Sequence, residues 1–317
     1  MTAETTLPDA AGETLEEQPP PACVMSFNAS DPSGAGGMAG DVATIAAMGA
    51  HGLPVVTSIV MRDTAEVFDF HAIDADVIAE QARGILEDVT ISAWKVGFLG
   101  SVEGVSAVAE ILSDYPDVPL VAYLPNLSWV EEDLQQGYLD AFRELVLPQT
   151  QVLVGSHQTL TDFLLPDWEG DRPASPRELA VAASKHGARY VLVTSVPLPD
   201  QFLDNVLAGP QGAITGEKFE RFEVSFVGAG DTLSAALASL LAAGSELHAA
   251  VGEALAFLDQ ALDAGFRPGM GNVIPDRFFW ALPPGEEDDD EEGVDGEVPP
   301  DEEALDTSAP KGPRHVH

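Results

Sequence analysis

The chain has 317 residues, 45% of them apolar, a single Cys and a formal net charge of -39. That length can bury a substantial core, while the lone Cys23 excludes an intrachain disulfide and any multi-cysteine metal site and suits a reducing, cytoplasmic setting. The acidity argues against nucleic acid or an anionic membrane surface as a partner, and no apolar run approaches the roughly 20 residues of a membrane span.

Residues 1–22 hold five acids and no Lys or Arg, and end in a proline run. They are expected to form a disordered leader, neither signal peptide nor anchor. From Cys23 onward short apolar runs alternate with helical patterns. "CVMSFNA" predicts a strand, "GGMAGDVATIAAMGA" a helix and "LPVVTSIVM" a second strand. "DADVIAEQARGILEDV" carries Val77, Ile78, Ala82, Ile85 and Leu86 on one helical face. "SAWKVGFLG" and "VPLVAYL" read as buried strands around the helix "SVEGVSAVAEILSDY", and "LDAFRELVLP", "TQVLVGS", "RELAVAASKHG" and "ARYVLVTS" continue the alternation. Strands alternating with helices of this length predict an α/β fold with a mostly parallel sheet covered on both faces. "QFLDNVLAGPQGAITGEKFERFEVSF" has turns and no helical period, which suits antiparallel edge strands; two helices, 232–243 and 246–264, finish the domain. The ordered domain is expected over 23–284. Beyond it, 285–317 is an acidic tail with thirteen Asp and Glu against Lys311 and Arg314, expected to be disordered. Without leader and tail the chain keeps 35 acids against 12 Lys and Arg, so any phosphate must be held by backbone N–H groups, a few local cations or a metal.

Ligands of doubly wound sheets lie beyond the carboxyl ends of the strands, and three turns fall there. In "NASDPSGAGGMAGD" the glycines, Gly36 among them, permit close backbone approach, and Asp31 could bond a ligand hydroxyl or ring nitrogen. In "WKVGFLGS", Gly97 and Gly100 follow a strand, and Lys95 must either reach solvent or meet an anion. "VGAGDT" is the most specific. Gly228, Ala229 and Gly230 can aim successive N–H groups at an anion, and Asp231 at the helix mouth can either cap the helix or take a proton from an alcohol attacking a phosphoryl group. The histidines lack ligand-like spacing, and neither a G-x-S-x-G elbow nor a G-x-x-x-x-G-K-[ST] loop is present.

Taken in order, "SDPSGAGGMAGD", "VVTSIVMRDTAEV", "WKVGFLGS", "VGAGDTLSAA" and "AGFRPGMGNVIPDRFFWA" resemble the ribokinase-like superfamily, and within it the hydroxymethylpyrimidine/phosphomethylpyrimidine kinases of thiamine biosynthesis. The resemblance covers about Val24 to Leu282. It implies a three-layer α/β/α fold, use of ATP and Mg²⁺, and a small heterocyclic alcohol as substrate. Relatives are often dimers, so a homodimer is expected. Carried over, Asp231 is the catalytic base and Gly228, Ala229 and Gly230 the anion hole. Asp31, Gly36 and Gly97 fall on the substrate side, and Thr194 and Gly230 on the nucleotide side. Departures are Ala39 for a ring-reading Gln, Arg62 and Asp63 in the Gln-Asn-Thr motif, Tyr123 or Leu124 for an Asp that supports metal and phosphates, and Ser156 and Thr159 in the Asn-x-x-Glu that helps hold magnesium. The loop "SVPLP" after Thr194 lacks the usual glycines and cation. They leave two alternatives open: a binding or regulatory protein with impaired catalysis, and a pyridoxal-type kinase. The metal ligands are left unassigned.

Overall fold

In the computed structural model, which describes residues 20–199 and 201–281, the buried apolar runs line up as one nine-stranded sheet. In chain order the elements are β1 (Cys23–Ser30), α1 (Gly37–Ala47), β2 (His51–Arg62), β3 (Val67–Ala72), α2 (Ala75–Leu86), β4 (Ala93–Val96), α3 (Val102–Ser113) and β5 (Leu120–Tyr123). There follow α4 (Glu132–Ala141), β6 (Val152–Ser156), α5 (His157–Leu164), α6 (Pro176–Ser184), β7 (Tyr190–Pro197), β8 (Phe202–Gly209), β9 (Gly212–Glu220), α7 (Ala229–Ala242) and α8 (Leu247–Asp263). The strand order is β3-β2-β1-β4-β5-β6-β7-β8-β9. The six strands from β2 to β7 in that order pair in parallel, and β3, β8 and β9 are antiparallel at the two edges. The expected α/β class and edge strands are therefore present.

Each parallel strand buries both faces, so alternate residues enter different cores. Met25, Phe27, Trp94, Val96, Leu120 and Ala122 pack beneath α2 to α6. Val24, Ala93, Val121, Val152 and Leu192 pack beneath α1, α7 and α8. By the same alternation Ser26 and Asn28 follow Val24, and Lys95 follows Ala93, into the layer of α1 and α7. These three polar residues are buried, so that layer has to supply their partners.

Several local expectations need correction. β3 was not expected: "VFDFHA" alternates over only six residues at an exposed edge, which gives a weak signal. α4 begins at Glu132, seven residues before the expected helix, because "EDLQQGY" is polar and mostly exposed; it then runs into a π turn at Phe142–Val146. α5 forms over "HQTLTDFL", where the sequence stands out only for the "SHQT" motif. "SVPLP" is not a plain loop, since β7 continues through Pro197 against β8, with Ser195 at a φ of 58° in the irregularity. Residues up to Phe279 belong to one compact unit, and of the other, Trp280–His317, only Trp280 and Ala281 are described. Nearly all of the expected leader and the whole tail lie outside the described residues. Among those described, no helix is long and apolar enough to cross a membrane.

Candidate active site

Strand order reverses at the β1–β4 pair, where the crossovers diverge and open a crevice. Beneath it lies a charge cluster assembled from four elements. Lys95 of β4 is fully buried, and its Nζ is 2.8 Å from Asp41 Oδ1 on α1 and 2.8 Å from Asp231 Oδ1 on α7. Asn28 of β1 donates through Nδ2 to Asp231 Oδ1 at 2.8 Å and to Asp41 Oδ2 at 2.9 Å. Its Oδ1 accepts from the N–H groups of Ala29 and Phe98. Ser26 Oγ donates to Asp41 Oδ2 at 2.6 Å, and Gly37 N–H donates to Asp231 Oδ2 at 3.0 Å. Lys95 thus meets an anion, one of the two outcomes its sequence allowed. Asp41 was not singled out beforehand, although its place in an apolar helix facing polar strand residues was a readable sign.

The charges of this cluster are strongly linked. Burial pushes the Asp231 carboxyl up, but the Lys95 charge and hydrogen bond, with the N–H groups of Gly37 and Asn28, outweigh it and hold Asp231 below the usual carboxylate range. Burial raises Asp41 instead, with Lys95 pulling it down and Asp231 pushing it up. Burial would lower Lys95, yet Asp231 and Asp41 together raise it. The result is an ionised carboxylate whose side chain keeps 15% exposure, set at the mouth of α7.

Asp231 looks into a cavity of about 510 Å³ that is also lined by Asp31, Gly36, Gly37, Arg62, Phe98, Tyr123, Trp129 and Gly228. Asp31 is spent on its own loop: it accepts from Ser33 N–H and Oγ, from Gly36 N–H and from Arg62. It shapes the cavity wall more than it offers a free acceptor. Gly36 lines the cavity against Asp231, where any side chain would strike the carboxylate. Gly97 lies one layer behind, with its Cα against the Asn28 amide, and is not among the lining residues. Ala39 is exposed on α1 and also absent from the lining. Of the two candidates at the missing acid, Tyr123 lines the cavity and Leu124 is buried in the core. The Tyr123 ring packs directly on Gly230 and lies 5.6 Å from Lys95 Nζ. Burial, then Asp231 and Asp41, raise its phenol and keep it protonated.

A second cleft of about 350 Å³ lies on the other side of the first turn of α7. Thr194, Ser195, Asn205, Arg221, Ala229 and Gly230 contribute its polar and backbone edge, and Leu203, Phe219, Phe222, Phe226, Leu258 and Leu262 its apolar walls. Thr194 and Gly230 therefore come together as the sequence suggested, and Phe226 lines both cavities. Arg221, which the sequence did not draw attention to, brings a cation to a cleft whose "SVPLP" loop has none.

Gly228 stands at a φ of 90°, and a Cβ there would run into the Ala35 carbonyl. Arg277 fixes the same junction: Nε donates to Thr232 Oγ1 at 3.0 Å, Nη1 to the Gly34 carbonyl at 3.3 Å and Nη2 to the Ala35 carbonyl. Lying more than 240 positions beyond the first glycine turn, it ties that turn to α7. Gly228→Ala is expected to lower stability by about 1–3 kcal/mol, read by urea denaturation; an unchanged midpoint would show that this turn tolerates ordinary backbone.

Magnesium held by protein side chains does not fit these residues. Ser156 and Thr159 bond each other at 2.8 Å and cap α5. Asp41 and Asp231 are engaged by Lys95, and Asp31 by Arg62. Among the described residues no cluster of three or more His, Cys, Asp or Glu is placed to hold a metal.

A three-layer α/β/α sheet with an ionised acid at a glycine-rich helix mouth, flanked by two clefts, defines the class of small-molecule kinases with this fold. A pyridoxal kinase from Bacillus subtilis in an ADP complex superposes with a TM-score of 0.75 at 23% identity, covering 83% of this chain and 100% of that one. A phosphomethylpyrimidine kinase from Clostridium difficile gives 0.64 at 21%, covering 76% and 99%. The chain belongs to the phosphomethylpyrimidine kinase family, whose model matches residues 31–276. It is 28% identical over 268 residues to a hydroxymethylpyrimidine/phosphomethylpyrimidine kinase of Mycobacterium leprae, covering 80% of this chain and 94% of the relative. It spans only 31% and 46% of the length of multifunctional thiamine-biosynthesis proteins of Corynebacterium glutamicum and Arabidopsis thaliana, to which it is 30% and 29% identical.

Proposed function

We propose that the protein transfers the terminal phosphoryl group of ATP to hydroxymethylpyrimidine or its monophosphate, a step of thiamine biosynthesis. The observation that carries this reading is Asp231, kept ionised by Lys95 and facing the larger cavity at the turn shared with the second cleft. The alcohol enters the larger cavity and the nucleotide base the apolar cleft. As the hydroxyl oxygen of hydroxymethylpyrimidine bonds to the γ-phosphorus, the bond from that phosphorus to the bridging oxygen of ADP breaks and the hydroxyl proton passes to Asp231; the monophosphate would attack through an ionised phosphate oxygen, with no alcohol proton to transfer. The N–H groups of Gly228, Ala229 and Gly230 receive the charge on the transferring group. Kinases of this family use Mg²⁺ with ATP; here it would have to come with the nucleotide.

The test is ATP turnover by the full chain with hydroxymethylpyrimidine and, in parallel, with pyridoxal. Turnover with the pyrimidine supports the reading, and turnover with pyridoxal alone would replace it with the pyridoxal-type one. A second reading, a binding or regulatory protein, is favoured by one observation: both Asp231 oxygens already accept hydrogen bonds. Nucleotide binding by calorimetry without turnover of either alcohol would decide for it.

The finer features of the proposal are a cytoplasmic setting and a homodimer. Ile59, Met61 and Phe68 on the β2–β3 edge are large, apolar and exposed, which suits a self-complementary contact. Sedimentation at micromolar concentration is expected to give twice the chain mass; a monomer there would remove the dimer from the proposal.

A further inference from the structure

Arg62 ends β2 at the wall of the larger cavity, with its side chain only 10% exposed. Its Nε–H donates to the Asp63 carbonyl at 3.0 Å and one Nη1–H to Asp31 Oδ2 at 3.3 Å. A guanidinium has five N–H donors and no acceptor. Three therefore have no partner among the described residues.

Arg62 is the sole Lys or Arg among the residues that line this cavity, whose acids are Asp31, Glu66 and Asp231. Two of those acids are already answered: Asp31 by its loop and by Arg62, and Asp231 by Lys95, Asn28 and Gly37. A ligand group placed against Arg62 must accept hydrogen bonds, because a donor there would leave the guanidinium unmatched. β2 neighbours β1, and Asp231 bridges Asn28 on β1 to Lys95 on β4. Arg62 Nη1 is 3.3 Å from Asp31 Oδ2, which accepts from the Gly36 N–H at 3.2 Å, and Gly36 stands against the Asp231 carboxylate, so Arg62 and Asp231 line one cavity on either side of the Asp31 loop. One heteroaromatic ring with a substituent at each side can lie across that loop.

We propose that Arg62 determines specificity: it binds an oxyanion on the far side of the heterocyclic alcohol whose hydroxyl group reaches Asp231. This rests on the reading of the larger cavity as the alcohol site and narrows its substrate from hydroxymethylpyrimidine itself to a heterocyclic alcohol with an acidic ring substituent. The neutral face of an unsubstituted pyrimidine does not use the three free donors, whereas a ring carboxylate or phosphate does, in the forked geometry that a guanidinium suits.

The test is calorimetric titration of the full chain with a hydroxymethylpyridine carrying a ring carboxylate meta to the hydroxymethyl group, with its phosphate-ester counterpart, and with the unsubstituted hydroxymethylpyridine. The tighter of the two charged probes identifies the oxyanion. At least one of them is expected to bind about 10- to 100-fold more tightly than the neutral one. Arg62→Gln should reduce that preference to within about threefold and Arg62→Lys should keep part of it, with thermal melts confirming that both variants fold. Equal binding of all probes by the wild type, a preference that survives Arg62→Gln, or no binding of any probe at millimolar concentration would each overturn the proposal. The kinase reading fails separately, by absence of ATP turnover, since charge preference is measured at equilibrium without nucleotide.

Discussion

Asp231→Asn is expected to lower turnover with the preferred alcohol by about 10²- to 10⁴-fold, with nucleotide affinity unchanged within about threefold. The substitution keeps the size of the side chain and removes its charge. Its amide would also set a donor against the Gly37 N–H or against Asn28 and Lys95, which now donate to the carboxylate. A stability loss of about 1–3 kcal/mol is therefore expected alongside, and turnover must be compared at a temperature where both proteins are fully folded. Because Lys95 holds the Asp231 carboxyl low, wild-type activity should persist below the ordinary carboxylate range, and its acid limb should appear only as pH falls through that depressed value. A transition state of loose character asks little of the base until the new bond is nearly made, so a weakly basic carboxylate suffices. Turnover unchanged in Asp231→Asn would leave this residue a helix-terminal partner of Lys95 and nothing more.

Lys95→Met is expected to destabilise the fold by about 3–5 kcal/mol, since removing one member of a buried charge cluster leaves the others uncompensated. Met fills a similar volume, so packing loss is a minor part. The dependence on pH follows from the shifts. In the wild type Asp231 is lowered, so its contribution is present above the ordinary carboxylate range and is lost as pH falls through its folded value. Lys95 is raised, so its contribution is present below the ordinary lysine range and is lost only as pH rises through its folded value. Without Lys95, the buried Asp41 and Asp231 face each other with only the more distant charge of Arg277 to answer them, and both shift upward. The variant should therefore lose most stability at neutral and alkaline pH and regain part of it toward acid, where the carboxyls protonate. Denaturant unfolding of both proteins across pH 5 to 8 reads this; a loss that is constant over the range would mean that Lys95 contributes packing alone.

Much of this architecture is readable in the sequence, and the unreadable parts have a common cause. The runs of β1, β5 and β6 are apolar because both faces are covered, and the "VGAGDT" turn declares its helix mouth through glycine and acid side by side. β3 and α4 are exposed, so their patterns lack the apolar contrast on which such readings depend. At the site, Asp231 and its turn were legible. Partner choice was not: periodicity tells that Lys95 is buried, while the residues that answer it lie 54 and 136 positions away. Arg277 and Arg221 were missed for the same reason, since each is local to a surface segment in sequence and joins the site only through the fold. Ala39 differs in the opposite direction. The family pattern puts a ring-reading residue at this position, and the helical phase of α1 turns Ala39 to solvent.

The cluster of Lys95 has a consequence for how the protein is made. During synthesis Ser26, Asn28, Asp41 and Lys95 leave the ribosome long before Asp231, and the sheet face that α7 and α8 cover remains bare for the same interval. A nascent chain that stops short of the "VGAGDT" turn has Lys95 answered by Asp41 alone and an open apolar face. Completion of the polypeptide, closure of the second core and arrival of the acid at the site are then a single event, so truncated products are deprived of activity and of stability together.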